Sequence, residues 1–305
     1  MKWEKRGLVY CPDGSLVWAK HSALTPTPIL LNEHTIRVYA GLRDEKGVSR
    51  IGFVDVEADN PSIVKIVSST PVLDVGIPGT FDDNGVIPGD IIGYEDKLYM
   101  YYVGFQLVEK VKFLAFTGLA ISCDQGYTFE RYSNAPILDR SDKELYFRAI
   151  HSVMLEDGVW HVWCGVGSEW ELIDGTPYPK YNVRYYRSED GLNFADEGIV
   201  CIDFINDEYR IGRPRVIKQN GNYKMFFTKG TLRRDYLPGY AESDDGVTWT
   251  RLDDQVGIQL SESGWDSKML AYPAVIQYKD KTYMFYNGND YGKTGFGYAI
   301  LDSNQ

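Results

Sequence analysis

Cysteine is scarce in this chain, with four residues in 305, at positions 11, 123, 164 and 201. They show neither the paired spacing of a zinc site nor the density of a disulfide scaffold, so buried, reduced thiols in a cytoplasmic protein are expected. Histidine is as sparse, also four. No second histidine or carboxylate stands at ligand spacing from His151, so no metal and no other cofactor is expected. Long apolar runs are missing, since nothing approaches the ~18 residues of a membrane span. The start, Met1-Lys2-Trp3-Glu4-Lys5-Arg6, lacks the apolar stretch of a secretory signal. Positive charge is in deficit, 32 Lys and Arg against 43 Asp and Glu for a net charge of −11. That balance argues against nucleic acid and anionic membranes as partners.

Aromatic residues are abundant instead, 23 Tyr, 13 Phe and 7 Trp. They suit strand faces and, in smaller number, stacking platforms for sugars. They also recur in order. Tyr39-Ala40-Gly41, Tyr102-Val103-Gly104, Trp163-Cys164-Gly165, Phe227-Thr228-Lys229-Gly230 and Tyr286-Asn287-Gly288 each close an alternating apolar strand, at separations of 63, 61, 64 and 59 residues. A strand-borne period of about 60 marks radial repetition, one four-stranded blade per repeat around an axis. The expected fold is all-β, a five-bladed β-propeller of four-stranded antiparallel blades. It would occupy residues 1–305 as a single domain, because each blade packs on its neighbours and not on one swelling core.

One blade is written as Arg213-Pro214-Arg215-Val216-Ile217, a hairpin at Asn220-Gly221, and the alternating strand Tyr223-Lys224-Met225-Phe226-Phe227. Tyr272-Pro273-Ala274-Val275-Ile276 and Tyr283-Met284-Phe285-Tyr286 repeat it. A third strand follows, as in Gly239-Tyr240-Ala241, and then a Ser-Asp-Gly turn before an aromatic: Ser243-Asp245-Gly246-Trp249, Ser188-Asp190-Gly191-Phe194 and Ser122-Asp124-Gly126-Phe129. Side-chain-to-backbone hydrogen bonds and left-handed glycines make these structural turns. The fifth repeat ends soon after Tyr298-Ala299-Ile300-Leu301, without an outer strand, whereas Trp3–Tyr10 reads like one. The N-terminal strand is therefore expected to complete the last blade and close the ring, which removes sheet edges.

In such a ring the innermost strands line the axis. Counting back from the repeated motif puts Thr27, Pro88, Ile150, Arg213 and Tyr272 in one column, with Asp90 and Arg215 two positions later. Five or six residues upstream of the column stand Asp83, Glu144, Glu208 and Asp266. Carboxylates meeting at one mouth are what acid/base work on a glycosidic bond requires. Asp83 or Asp266 is the expected general acid. The same loops carry Arg148, His151, Arg210, Arg213, Arg215, Lys229 and Lys268. That cluster reads either as an anion site of Arg forks, for phosphate, carboxylate or the diphosphate of a nucleotide sugar, or as structural Arg–carboxylate pairs between blades. Trp265 and Tyr272 would offer aromatic surface to a sugar, and Asn287 an amide.

These repeats, with Gly239-Tyr240-Ala241-Glu242-Ser243-Asp244-Asp245-Gly246 and Gly264-Trp265-Asp266-Ser267-Lys268 through Tyr272-Pro273, resemble the five-bladed β-propeller superfamily of glycoside hydrolases. That superfamily includes families 43, 32, 68 and 130, and the likeness is greatest to members accompanying bacterial surface-polysaccharide genes. The resemblance covers every blade. It implies a base Asp before Pro on the first inner strand, a pKa-tuning Asp on the second and an acid Glu on the third. Here those places read Thr25-Pro26-Thr27-Pro28, Pro88-Gly89-Asp90-Ile91 and Arg148-Ala149-Ile150-His151, so only Asp90 carries over, as the pKa modulator. Fewer acids and more cations are closer to the phosphorylase pattern, in which bound phosphate is the second catalytic partner. The resemblance thus implies an enzyme acting on a glycosidic or sugar-phosphate bond; with the loop acids Asp83 or Asp266 as general acid and Asp90 tuning it, the expected catalytic residues are Asp83, Asp90 and Asp266. Arg148, His151, Glu208, Arg213, Arg215, Trp265, Lys268, Tyr272 and Asn287 would then hold a carbohydrate, sugar phosphate or nucleotide sugar. The alternatives are a non-catalytic binding protein for such a ligand and a glycosyltransferase.

Overall fold

A computed structural model describes residues 1–232 and 234–302, with backbone only at 234 and 235. Strand β1 (Trp3–Tyr10) precedes the first blade, β2 (His21–Asn32), β3 (Thr35–Arg43), β4 (Ser49–Glu57) and β5 (Val64–Val67). The second blade is β6 (Val86–Tyr94), β7 (Lys97–Gln106), β8 (Leu114–Ser122) and β9 (Glu130–Arg131). The third is β10 (Phe147–Glu156), β11 (Val159–Ile173), β12 (Thr176–Ser188) and β13 (Ile199–Ile202). The fourth is β14 (Glu208–Gln219), β15 (Asn222–Thr231), β16 (Arg234–Ser243) and β17 (Thr250–Arg251). The fifth holds β18 (Ala271–Tyr278), β19 (Lys281–Asn287) and β20 (Phe296–Leu301), and β1 pairs antiparallel with β20, from Trp3 opposite Leu301 to Tyr10 opposite Phe296. The fold is the expected five-bladed propeller, closed by its N-terminal strand.

Alternation along the second strand of each blade makes the ring. Successive side chains point to opposite faces, so Tyr39 packs against the second blade while Val38 and Ala40 pack against the fifth. Tyr102 and Met100 face blade one, whereas Tyr101 faces blade three. Trp163 and Phe227 share the layer between blades three and four, and Phe226, Met284 and Tyr286 that between four and five. Phe285 meets Val38 and Val54 across the closure. Apolar layers therefore lie between every adjacent pair of blades, including the last and the first.

A polar bolt repeats beside these layers. The ring of Tyr39 donates its hydroxyl to Gly126 O at 2.9 Å, Tyr101 to Gly191 O at 3.0 Å, and Trp163 Nε1 to Gly246 O at 2.8 Å. Each acceptor is the glycine of the next blade's Ser-Asp-Gly turn. Those turns are held by their aspartates: Asp190 Oδ1 accepts Leu192 N and Asn193 N, and Asp245 Oδ1 accepts Val247 N and Thr248 N. A Cβ at Gly126 would lie 1.9 Å from Tyr39 Oη, at a φ of +81°.

Candidate functional site

Every inner strand is bulged at one level. The ladder slips between Leu24 and Thr27, Pro88 and Asp90, Ile150 and Ser152, Gly212 and Arg215, and Ala271 and Ala274. The bulged residues are thus Thr25-Pro26, Gly89, His151, Arg213-Pro214 and Tyr272-Pro273, and these surround the axis. Thr25, Arg213 and Tyr272 sit at φ of 52°, 52° and 56°. Side-chain-bearing residues hold such backbone only where the surroundings impose it, at a cost of about 1–3 kcal/mol each. Gly89 is required for another reason: a Cβ there would lie 2.3 Å from Ile150 O and 2.5 Å from Tyr101 O. The expected column is corrected accordingly. Arg213 and Tyr272 stand in it, but Thr25, Gly89 and His151 replace Thr27, Pro88 and Ile150, because a bulge of one or two residues is invisible to counting back from the repeat.

Arg213 ties four blades together. Its Nη1 donates to Gly89 O and, at 3.2 Å, to His151 Nδ1, while Nη2 donates to Thr27 Oγ1 at 2.6 Å. Burial lowers its pKa to about 10, Asp90 opposing this, so it stays charged at neutral pH. A guanidinium can only donate. His151 Nδ1 must therefore accept, which leaves the proton on Nε2. Burial, and then the Arg213 charge, holds the His151 pKa well below its ordinary value, so the ring is neutral.

Above this plug opens a cavity of about 510 Å³, lined by Thr25, Arg43, Lys112, His151, Arg210, Arg213, five tyrosines (178, 181, 236, 272 and 291) and an apolar wall from blades two and three. Among the described residues no Asp or Glu lines it. Arg210 is 8% exposed, yet no carboxylate among the described residues reaches it; the face of Tyr236 lies 4.4 Å from its guanidinium and that of Tyr209 4.6 Å. Arg43 likewise forms no ion pair among the described residues, and burial lowers its pKa. The Nε atoms of both arginines and Thr25 Oγ1 are buried without a hydrogen-bond partner. Tyr272 lies near enough to both guanidinia to feel their charge, and its own ionisation is pushed far up by burial. Tyr181 and Tyr236 share a hydroxyl–hydroxyl hydrogen bond. The cavity is therefore cationic on neutral aromatic walls, and it holds unfilled hydrogen-bonding capacity.

Of the expected site residues, the structure brings His151, Arg210, Arg213 and Tyr272 into this cavity. The expectation that the carboxylates meet at its mouth is corrected. Asp266 is buried between blade five and β1, where its Oδ2 accepts from Lys5 Nζ at 2.8 Å and Tyr286 Oη at 3.0 Å. Asp83 accepts Gly79 N at 2.8 Å and closes its own turn. Asp90 lies buried at the level of the bulges, its oxygens taken by Arg215, Ile91 N and Val153 N. Arg148 lies 2.7 Å from Glu144, and Glu208 accepts from Arg251 at 2.8 and 2.9 Å. The first of these pairs is local to the entry of β10 and the second lies within blade four; only Arg215–Asp90 joins two blades as the structural alternative expects. Trp265 stacks on Tyr286 at 5.1 Å, away from the cavity, and Lys268 is exposed outside it. Asn287 is buried, its Oδ1 accepting Thr25 N at 2.8 Å and its Nδ2 donating to Ala23 O at 2.6 Å. It locks blade five to blade one. The counting missed Arg43, Lys112, Tyr181 and Tyr236. Arg43 stands two residues beyond the first Tyr-X-Gly motif, where the strand reaches the cavity, and that position was its only signal.

Solved structures place this architecture. The chain aligns with the RGII complex of BT0996 at a TM-score of 0.72 and 19% identity, over 99% of this chain and 92% of that one. A thermostable family-43 glycoside hydrolase gives 0.68 and 17%, over 94% and 90%. A member of the GH130 family of mannoside phosphorylases, which contains glycoside hydrolases that target β-1,2 mannosidic linkages in Candida mannan, gives 0.68 and 16%, over 99% and 94%. The fold is that of the five-bladed propeller glycoside hydrolases and phosphorylases, and at these identities the likeness shows the fold alone. No protein-family model matches the chain. The chain belongs to the family of Uncharacterized protein Rv1502 of Mycobacterium tuberculosis (strain ATCC 25618 / H37Rv), with which it is 33% identical over 305 residues, 99% of this chain and 100% of that protein. The protein MT1551 of strain CDC 1551 / Oshkosh matches to the same extent. No described helix is long and apolar enough to cross a membrane.

Proposed function

We propose that the protein binds an anionic carbohydrate, a sugar bearing phosphate, diphosphate or carboxylate, in the axial cavity. The observation that carries this reading is the pair Arg43 and Arg210, cationic side chains set against the cavity with no carboxylate among the described residues to neutralise them. A buried charge without a partner is costly. A ligand anion would supply the missing partner in the planar, forked geometry that guanidinium favours. Hydrolysis by paired carboxylates, which places two such groups about 5–9.5 Å apart around the bond, finds no support in a cavity that Asp83, Asp90 and Asp266 do not line. Recognition of the ligand is therefore preferred to glycosidase action. A catalytic reading rests on His151, whose Nε2 carries a proton at the cavity floor next to Arg213; there it would donate to a sugar oxygen.

Thermal shift and calorimetry against glucose 1-phosphate, glucuronate, UDP-glucose and glucose test the proposal. The anionic compounds should stabilise the protein, by about 2.7 kcal/mol at a hundredfold excess over Kd, and glucose should not. Arg210→Met should abolish the effect. Equal stabilisation by glucose, or retention of anion binding in Arg210→Met, would sink the proposal. Analysis of products after incubation separates binding from turnover.

A further inference from the structure

The cavity has two unlike walls. Blades four and five contribute Arg210, Tyr236, Tyr272 and Tyr291, with Arg43 beside them from blade one. Blades two and three contribute Ile87, Val103, Phe105, Phe113 and Phe147. None of those five side chains can form a hydrogen bond, so sugar hydroxyls laid on them would lose water without replacement, while Asn84 and Lys112 line the cavity beside them. The phenyl rings are already arranged edge to face, Phe105 on Phe113 at 5.3 Å and Phe113 on Trp170 at 5.5 Å. Tyr181 joins the walls: its ring packs edge-on against Phe147 at 5.2 Å, and its hydroxyl meets that of Tyr236, whose face carries Arg210. The charged surface and the apolar surface thus stand one tyrosine apart within one cavity.

Building on the reading that this cavity takes an anionic ligand, we infer that the ligand also carries a planar aromatic ring, which lies on the Phe105, Phe113 and Phe147 wall while the anion lies on Arg43 and Arg210. A flat ring continues the edge-to-face pattern of that wall, which a flexible alkyl chain does not. Burial of its faces adds affinity that a polar sugar ring cannot obtain there. The shared chemistry is an aromatic ring joined to a phosphoryl or carboxyl group, and a nucleobase or an aryl aglycone would both provide it.

Calorimetry with the full chain decides the matter, using inorganic phosphate, glucose 1-phosphate, hexyl phosphate, phenyl phosphate and UMP. At least one of the two ring compounds should bind about tenfold or more tighter than glucose 1-phosphate and hexyl phosphate, a gain of about 1.4 kcal/mol. Tighter binding of UMP than of phenyl phosphate assigns the ring to a nucleobase, and the reverse order to an aryl aglycone. Phe113→Ser should remove the advantage while leaving the affinity for inorganic phosphate unchanged; the ligand series on the unaltered protein stands without that variant. Glucose 1-phosphate or hexyl phosphate binding as tightly as both ring compounds would overturn the inference. In that outcome anion binding that depends on Arg210 would leave the proposed function intact. If none of the five compounds binds, both readings fall.

Discussion

Arg210 and Asp266 are both buried charges, and they carry opposite expectations. Asp266 is partnered by Lys5 and Tyr286. Its replacement by alanine strands the lysine and opens the seam between β1 and blade five, so Asp266→Ala should lose about 3 kcal/mol in chemical denaturation. Ligand binding in the folded variant should be unchanged, since the carboxylate does not line the cavity. Among the described residues Arg210 has no carboxylate and its Nε has no acceptor. Arg210→Met keeps the stem packed among tyrosines and removes an unpaired charge, so the ligand-free protein should melt at the same temperature or higher, while anion binding is lost. A site residue kept at a cost in stability behaves in this way, and a structural residue does not. A large fall in Tm for Arg210→Met would place it with the structural arginines Arg148 and Arg251, which hold Glu144 and Glu208.

At the scale of the element, the bolts between blades and the closing strand can be tested separately. Tyr39→Phe removes the hydroxyl that satisfies Gly126 O at a buried position, with an expected loss of about 1–2 kcal/mol. Gly126→Ala must both push Tyr39 aside and adopt an unfavourable φ, with an expected loss of at least ~2 kcal/mol. Removing residues 1–10 takes away β1, and with it Trp3, which packs against Phe226 and shares the apolar layer between blades four and five. The truncated chain should lose the cooperative transition of the whole ring; a melting curve like that of the full chain would show that closure contributes nothing. These elements were legible in the sequence because each is a local pattern repeated at a constant spacing: an alternating strand, a Ser-Asp-Gly turn, a motif ending in glycine. The site was legible where the pattern and the loops entering it reached the axis, at His151, Arg210, Arg213 and Tyr272. A bulge shifts which residue meets the axis without changing composition, so Thr25 and His151 were displaced by one or two positions. Whether an acid faces a cavity or a neighbouring blade depends on partners ~50 to 260 residues away, as Lys5 is from Asp266 and Arg131 from Asp82, and no local spacing records that.

Across the whole molecule, acid should act on the fold in two stages. His151 is held neutral by burial and by Arg213, and His161 is also lowered, by burial first. An unfolded histidine takes a proton near pH 6.5, whereas these folded ones do not. The unfolded chain therefore binds more protons as pH falls from about 6.5, and stability, fully present above that value, declines toward each depressed folded pKa. The turn aspartates Asp124, Asp190 and Asp245 are held below the usual carboxylate range, Asp190 and Asp245 chiefly by backbone N–H groups and Asp124 by backbone and hydroxyl donors that outweigh its burial. Their contribution is present above about pH 4, the unfolded value, and is lost only as pH falls below it. Chemical denaturation from pH 8 to 3 should thus show a shallow decline beginning near 6.5 and a steeper one below about 4. His151→Gln should shrink the first stage to the part that His161 contributes and leave the second, because glutamine keeps an acceptor for Arg213 without a proton to gain. Since Arg43, Arg210 and Arg213 stay charged throughout, the affinity for a permanently charged anion such as a sugar sulfate should not change between pH 8 and 6.5. Affinity that falls as pH rises from 6.5 to 8 would mean that a titrating group other than the arginines supplies the positive charge, and the anion would have to be moved away from Arg43 and Arg210.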